Sequence, residues 1–146
     1  MIEYLQKVFS PQVENEAQQA LKQFLTPSKS QLSESEEMSL AQATCFSIPF
    51  GSIDINAFCW GTGPTILLVH GWGGYGLQLN EFINPLLEAG YQVLAFDAPA
   101  HGSTTGEQSN GFELAEAIET VVKYQNSSNS QLSQSIEGII AHYLGA

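Results

Sequence analysis

An α/β fold is predicted for this chain, and three features of the sequence predict it. "TILLVH" (Thr65 to His70) and "YQVLAF" (Tyr91 to Phe96) are short continuous apolar runs, the pattern of parallel strands covered on both faces. Between them, "LNEFINPLLEAG" places Phe82, Ile83, Leu86 and Leu87 on one helical face and ends at Gly90 in the position of a left-handed cap. The three segments read as a βαβ unit whose helix should kink at Pro85. A third apolar run, Ile136 to Ala141, follows a second helix over Phe112 to Lys123, with Leu114, Ile118, Val121 and Val122 facing inward.

The segments before this unit differ in period. "TCFSIPFGSIDINAFCW" holds two strand-like runs around Gly51 and Ser52 and reads as an antiparallel hairpin. Ahead of it, Leu5, Val8 and Phe9, then Val13, Ala17, Leu21 and Phe24, recur at helical spacing. Ser10 and Pro11 stand as cap and first residue of the second of these helices. Ser33 and Glu36 have the spacing of a capping box for a third short helix through Met38 to Ala43. Residues 1–43 are therefore expected to form a helical amino-terminal extension packed on the main fold, and residues 44–146 the α/β domain. No internal repeat occurs, and "NSSNSQLSQS" is the one biased loop.

Composition narrows the function classes. A chain of 146 residues with 43% hydrophobic content has one ordinary core to bury. Its 15 acidic residues against four lysines and no arginine give a net charge of -11, which repels phosphate backbones and anionic lipid headgroups. Nucleic acid and membrane-surface partners are not expected. The amino terminus lacks a basic start followed by an apolar run, and no stretch approaches the roughly 20 apolar residues of a membrane span, so the expected location is cytoplasmic. Cys45 and Cys59 flank the hairpin and are expected to be small buried hydrophobes, not a disulfide. The histidines at 70, 101 and 142 lie too far apart for a metal-binding pattern.

"VHGWGGYG" sits where a strand ends, and it admits two readings. Gly71, Gly73 and Gly76 satisfy G-x-G-x-x-G, and Asp97 lies at the end of the next strand, near where a ribose-binding acid is expected in a dinucleotide fold. Against this, an antiparallel hairpin precedes the motif, Trp72 places a bulky side chain in the turn, and "APAHGST" after Asp97 is itself a glycine turn.

Taken together, "GTGPTILLVHGWGG", "GYQVLAFDAPAHGST" and "IEGIIAHYLGA" resemble the α/β-hydrolase superfamily. In that family an H-G-x-G loop follows the third strand, D-x-P-x-H-G-x-S follows the fourth, and a G-x-S-x-G nucleophile elbow caps the fifth. The resemblance covers residues 44 to 146 and implies a serine esterase- or lipase-like ancestor acting on carboxylic esters or similar acyl compounds, with no cofactor.

The resemblance also implies roles. Tyr143 stands at the nucleophile position, between His142 and Leu144, with Ala141 and Gly145 as the small flanking residues. A phenol has a reference pKa near 10, and its oxygen sits several ångströms beyond a serine hydroxyl, outside the near-attack distance of ~3 to 3.5 Å. The oxyanion-hole donors would be the backbone N–H groups of Trp72 and Leu144. His70, Gly71 and Gly73 belong to one motif loop and Asp97, His101 and Gly102 to the other, with both histidines expected to hydrogen-bond within the loops. The family's triad acid and histidine come after the elbow. The expected protein is thus a truncated, catalytically inactive α/β-hydrolase whose last strand presents an open edge. A complementing carboxy-terminal half, or self-association, would cover that edge. A dinucleotide-binding module using Gly71, Gly73, Gly76 and Asp97, or a non-catalytic interaction domain, are the alternatives.

Overall fold

The hairpin forms where the period-2 pattern placed it. In the computed structural model, which describes residues 11–127 and 135–142, β1 (Thr44–Phe50) pairs antiparallel with β2 (Ile53–Trp60). Phe50 faces Ile53, so the loop is the two residues Gly51 and Ser52, and Gly51 takes φ 57°, a conformation costly for a residue with a Cβ. β3 (Thr65–Val69), β4 (Gln92–Phe96) and β5 (Ile136–Ala141) complete one sheet in the order β1-β2-β4-β3-β5. β2 meets β4 antiparallel, whereas β3 runs parallel to both β4 and β5.

Alternation along β4 explains the layering. Leu94 and Phe96 join Ile48, Ile55, Leu67 and Val69 on one face, against Leu114, Ala117 and Val121 of a helix over Gly111–Gln125. Val93 and Ala95 join Phe58, Trp60 and Leu68 on the other, against Leu77 and Ile83. Both faces are covered, and for that reason β4 is buried at every position. Each fully buried aliphatic or aromatic side chain here contributes about 1.5–3 kcal/mol. The helix over Gly111–Gln125 is capped by Asn110, whose Oδ1 accepts from the N–H groups of Phe112 and Glu113.

Four α-helices are described: α1 (Pro11–Leu25), α2 (Glu34–Ala41), α3 (Ile83–Glu88) and α4 (Gly111–Gln125). Pro11 is helical in α1, while its expected cap Ser10 and the helix predicted before it lie outside the described residues. The capping box of α2 is formed: Glu36 Oε2 accepts from the Ser33 N–H at 2.7 Å, and the Glu36 N–H donates to Ser33 Oγ at 3.4 Å. Tyr75 donates its hydroxyl to Glu36 Oε1 at 2.8 Å and ties α2 to the loop after β3. Burial works to raise the Glu36 pKa, but the bonds from Ser33 and Tyr75 outweigh it and hold the carboxyl below its usual value.

Four expectations are corrected. The irregularity between β3 and β4 lies at Leu79, inside a 3₁₀ segment over Gly76–Phe82, and not at Pro85. Pro85 falls in the first turn of α3, where its missing N–H has no helical partner to lose. Phe82, placed by periodicity on the inner face, is 44% exposed because the 3₁₀ winding rotates it outward. No residue of α1 is buried, so its apolar face does not pack on the sheet. Cys45 is exposed while Cys59 is buried: Cys45 faces Phe58 and Thr44 faces Cys59, so the two thiols point to opposite sides of the sheet and no disulfide can form. The end of α3 conforms to expectation. Gly90 adopts φ 86°, its N–H donates to Leu87 O, and the Tyr91 N–H donates to Leu86 O, the paired bonds of a Schellman cap.

Candidate functional site

The site lies at the carboxyl ends of the parallel strands, where two loops lock together. After β3, His70 is buried, and its Nε2 accepts from the Ala98 N–H at 3.0 Å. That bond assigns the proton to Nδ1, which donates to Gly71 O at 2.7 Å. Burial pushes the His70 pKa below its usual value, assisted by the nearby His101 and opposed by the Gly71 carbonyl and Asp97, so the ring is neutral at neutral pH. Gly71 to Gly74 then form a tight turn closed by the Gly74 N–H on Gly71 O at 3.0 Å. Gly73, third in the turn, has φ 69°, which only glycine adopts without strain. Gly73 is therefore explained by backbone geometry alone.

The second loop is organised by Asp97. Its Oδ1 accepts from the Gly76 N–H at 2.6 Å, and its Oδ2 accepts from both the N–H and the hydroxyl of Ser103 at 2.7 Å. Thr104 donates its hydroxyl to Asp97 O at 2.7 Å and accepts from the Asn56 N–H at 3.0 Å. Asn56 Nδ2 adds a bond to Ser103 O at 2.9 Å, so β2 anchors the loop from outside. Gly102 approaches the Asp97 carboxylate so closely that a Cβ there would overlap it. Ala100, at φ 63°, is the one non-glycine residue with positive φ among the described residues.

This arrangement does not suit a dinucleotide. Both oxygens of Asp97 are engaged by Gly76 and Ser103, so the acid is not presented to a ribose, and the glycine loop leads into a 3₁₀ segment instead of an α-helix amino terminus. Ser103 donates its hydroxyl proton to Asp97 Oδ2 at 2.7 Å, while His70 bonds Gly71 and Ala98 and His101 Nδ1 bonds Pro99 O at 2.8 Å.

Around Trp72 the rings form a continuous row. His70 and His101 lie 5.1 Å apart, the Trp72 edge meets His101 at 5.1 Å and 82°, and Phe24 stacks on Trp72 at 6.4 Å and 20°. His101 is fully buried, burial pushes its pKa down, and its Nε2 has no hydrogen-bond partner among the described residues. The Trp72 N–H donates to no group among the described residues. On the neighbouring strand, the His142 N–H donates to Val69 O at 2.9 Å, so the end of β5 lies directly beside the start of the His70–Trp72 loop. Tyr143, Leu144 and Gly145 lie outside the described residues. Sequence reading had no signal for Asn56, Phe24 or Glu36–Tyr75, since each acts on a partner more than 35 positions away. Among the described residues no three His, Cys, Asp or Glu side chains could hold a metal ion, and no helix is long and apolar enough to cross a membrane.

Comparison with known proteins agrees with this topology. A family model described as the alpha/beta hydrolase fold matches residues 64–131. An esterase of Pyrococcus furiosus superposes with a TM-score of 0.66 at 22% identity, over 80% of this chain and 46% of that one. A thioesterase domain from the curacin biosynthetic pathway gives a TM-score of 0.57 at 25% identity, over 70% and 36% of the respective chains. An epoxide hydrolase of Vigna radiata gives 0.58 at 20% identity, over 73% and 33%. No curated protein matches the sequence. The chain has the α/β-hydrolase fold, with the family match confined to a little under half of its residues, and it spans a little under half the length of the Pyrococcus furiosus esterase.

Proposed function

We propose that this chain is the front portion of a serine-type α/β-hydrolase derived from enzymes that cleave carboxylic esters or similar acyl compounds, and that by itself it is catalytically inactive. The observation that carries the reading is the His142–Val69 bond, which sets the end of β5 against the loop that carries Trp72, whose N–H donates to no group among the described residues. Two backbone donors flanking one point, from Trp72 and from Leu144, would hold a carbonyl oxygen as it gains charge. Inactivity follows from Tyr143 at the nucleophile position: its phenol is a weak nucleophile at neutral pH and reaches past the serine hydroxyl's place.

The outer edge of β5 has no strand beside it among the described residues, and Ile139 on it is 54% exposed. A complementing half, carrying the triad acid and histidine, would pair there and cover both. A cytoplasmic location belongs to the same reading, supported by two cysteines that the sheet register keeps apart.

The test is ester turnover and fluorophosphonate labelling of the wild type, of Tyr143→Ser, and of Tyr143→Ser with a complementing half from an intact relative. Activity is expected only in the third, because a positioned base contributes ~10² to 10⁴ in rate. Strong labelling of the single variant alone would locate a base within these residues and overturn the reading.

A further inference from the structure

A cavity of about 250 Å³ opens between the amino-terminal extension, the loop after β3 and the loop after β4. Leu32 and Leu40 line it from the extension, and Phe58 of β2 and Leu77 of the 3₁₀ segment line it from the domain. Its walls are fastened in place. The capping box holds the start of α2, the Tyr75 hydroxyl is bonded to Glu36, and the Trp60 indole N–H donates to Ser39 O at 2.8 Å, so α2 is tied both to the loop after β3 and to β2. The volume is many times the ~10–15 Å³ that one water needs and just below the ~300 Å³ at which drug-sized sites begin, so it suits a small organic molecule. None of His70, Trp72 and His142 lines it, and it is therefore separate from the place where β5 meets the loop after β3.

Tyr75, Asp97 and Ser103 complete the lining, and they present acceptors with their donors already committed. Tyr75 donates its hydroxyl to Glu36 Oε1, and burial, then Glu36, pushes its pKa up to about 12, so the phenol keeps its proton and offers only lone pairs. Ser103 gives both its N–H and its hydroxyl to Asp97 Oδ2. Asp97 itself is buried, and its Oδ1 accepts one bond, from Gly76, where a carboxylate oxygen has room for two. No lysine lies within ion-pair distance of Asp97 among the described residues. A buried carboxylate is held best when a cation joins its hydrogen bonds, and a net charge of -11 draws cations toward the chain and repels anions. The fitting occupant thus brings N–H donors and positive charge on a small apolar body. We propose that this cavity binds a small primary ammonium compound, its ammonium on Asp97 and its apolar chain between Leu32, Leu40, Phe58 and Leu77. The inference uses nothing from the oxyanion reading of Trp72 and stands independently of it.

Hexylammonium, 1-hexanol and hexanoate serve as probes, because they share one apolar chain and differ in charge and donors. The methyl signals of Leu32, Leu40 and Leu77 would be followed by NMR at neutral pH while each is titrated into the full chain, the Asp97→Asn variant and the Leu32→Trp variant. Saturable shifts are expected with hexylammonium, which should bind roughly tenfold more tightly than 1-hexanol, as one charge-assisted hydrogen bond implies, and none with hexanoate. Asp97→Asn should remove the preference for the ammonium and leave 1-hexanol binding unchanged. Leu32 is half-buried, so a tryptophan there should fill the cavity and abolish binding of both without touching Asp97. Methyl signals that respond to no probe, or respond equally to hexylammonium and 1-hexanol, overturn the proposal. A preference for the ammonium that persists in Asp97→Asn belongs to the net charge of the chain and overturns it too, as does binding undiminished in Leu32→Trp. Should Asp97→Asn fail to fold, the ranking of the three probes in the wild type and the loss in Leu32→Trp still decide.

Discussion

Asp97 Oδ1 accepts the Gly76 N–H at 2.6 Å, and by this bond the loop after β4 holds the loop after β3. The carboxylate's other oxygen collects the N–H and hydroxyl of Ser103, so one buried side chain sets the spacing of both motif loops. A group so placed is a bracket for the site, and its removal should be felt as stability before it is felt as chemistry.

Replacing Asp97 by alanine leaves two backbone donors unsatisfied, at a cost of about 1–3 kcal/mol each. Asp97→Asn should cost less, since its amide oxygen still serves one loop while its NH₂ meets a donor at the other. Urea unfolding of the two variants should rank them in that order. Equal midpoints for wild type and Asp97→Ala would show that the bracket is unnecessary.

Acid sensitivity is expected from the histidines. The pKa values of His70 and His101 are both lowered from 6.5 by burial, so below pH 6.5 the unfolded chain binds protons that the folded chain refuses. Stability is therefore unaffected by these groups above pH 6.5 and falls as the pH drops toward their folded values. His70→Gln keeps an acceptor for Ala98 and should lessen the slope of stability against pH by up to about one proton. Thermal midpoints between pH 5 and 8 measure it.

Two neighbours in the loop after β4 should respond in opposite senses. Gly102, at φ 48° and pressed against the Asp97 carboxylate, tolerates no Cβ, so Gly102→Ala should destabilise by more than 1 kcal/mol or so. Ala100, at φ 63°, carries the strain of a left-handed conformation, and Ala100→Gly should be neutral or stabilising by up to about 1 kcal/mol. Differential scanning calorimetry of both variants would compare them directly.

Thiol labelling should separate the cysteines. Cys45 is exposed and should react with a maleimide within minutes, whereas Cys59 is buried and its thiol is pushed up to about 11, so it should react only on unfolding. Mass spectrometry of labelled native protein should show a single adduct at Cys45. Unlabelled native protein that takes two labels after reduction would indicate a disulfide and a different hairpin register.

How far the sequence carries the fold can be judged element by element. β3 and β4 were legible because short continuous apolar runs suit strands covered on both faces, and β4 is buried throughout, whereas β5 alternates between half-buried and exposed positions. The capping box at Ser33 and Glu36 and the left-handed cap at Gly90 were legible because each depends on residues only a few positions apart. The break at Leu79 was not, since a 3₁₀ segment and an α-helix share nearly the same apolar spacing, and only packing on the sheet selects between them. The resemblance to a hydrolase rested on motif order, which local sequence preserves.

The sequence by itself determined the class of fold, the capping box of α2 and the left-handed cap at Gly90, because these depend on residue identity and short-range pattern. The tertiary structure decided what each motif residue does. G-x-G-x-x-G with a later acid has the same spelling in two folds. Only when Asp97 is seen accepting from Gly76, 21 residues away, does the acid become a loop bracket instead of a ribose ligand. In the same way, Phe24 and Trp72 are 48 positions apart in a chain that gives neither a reason to meet the other. Long-range contacts of this kind follow from how the sheet orders its strands and where the connecting segments are forced to cross, which is a property of the folded whole.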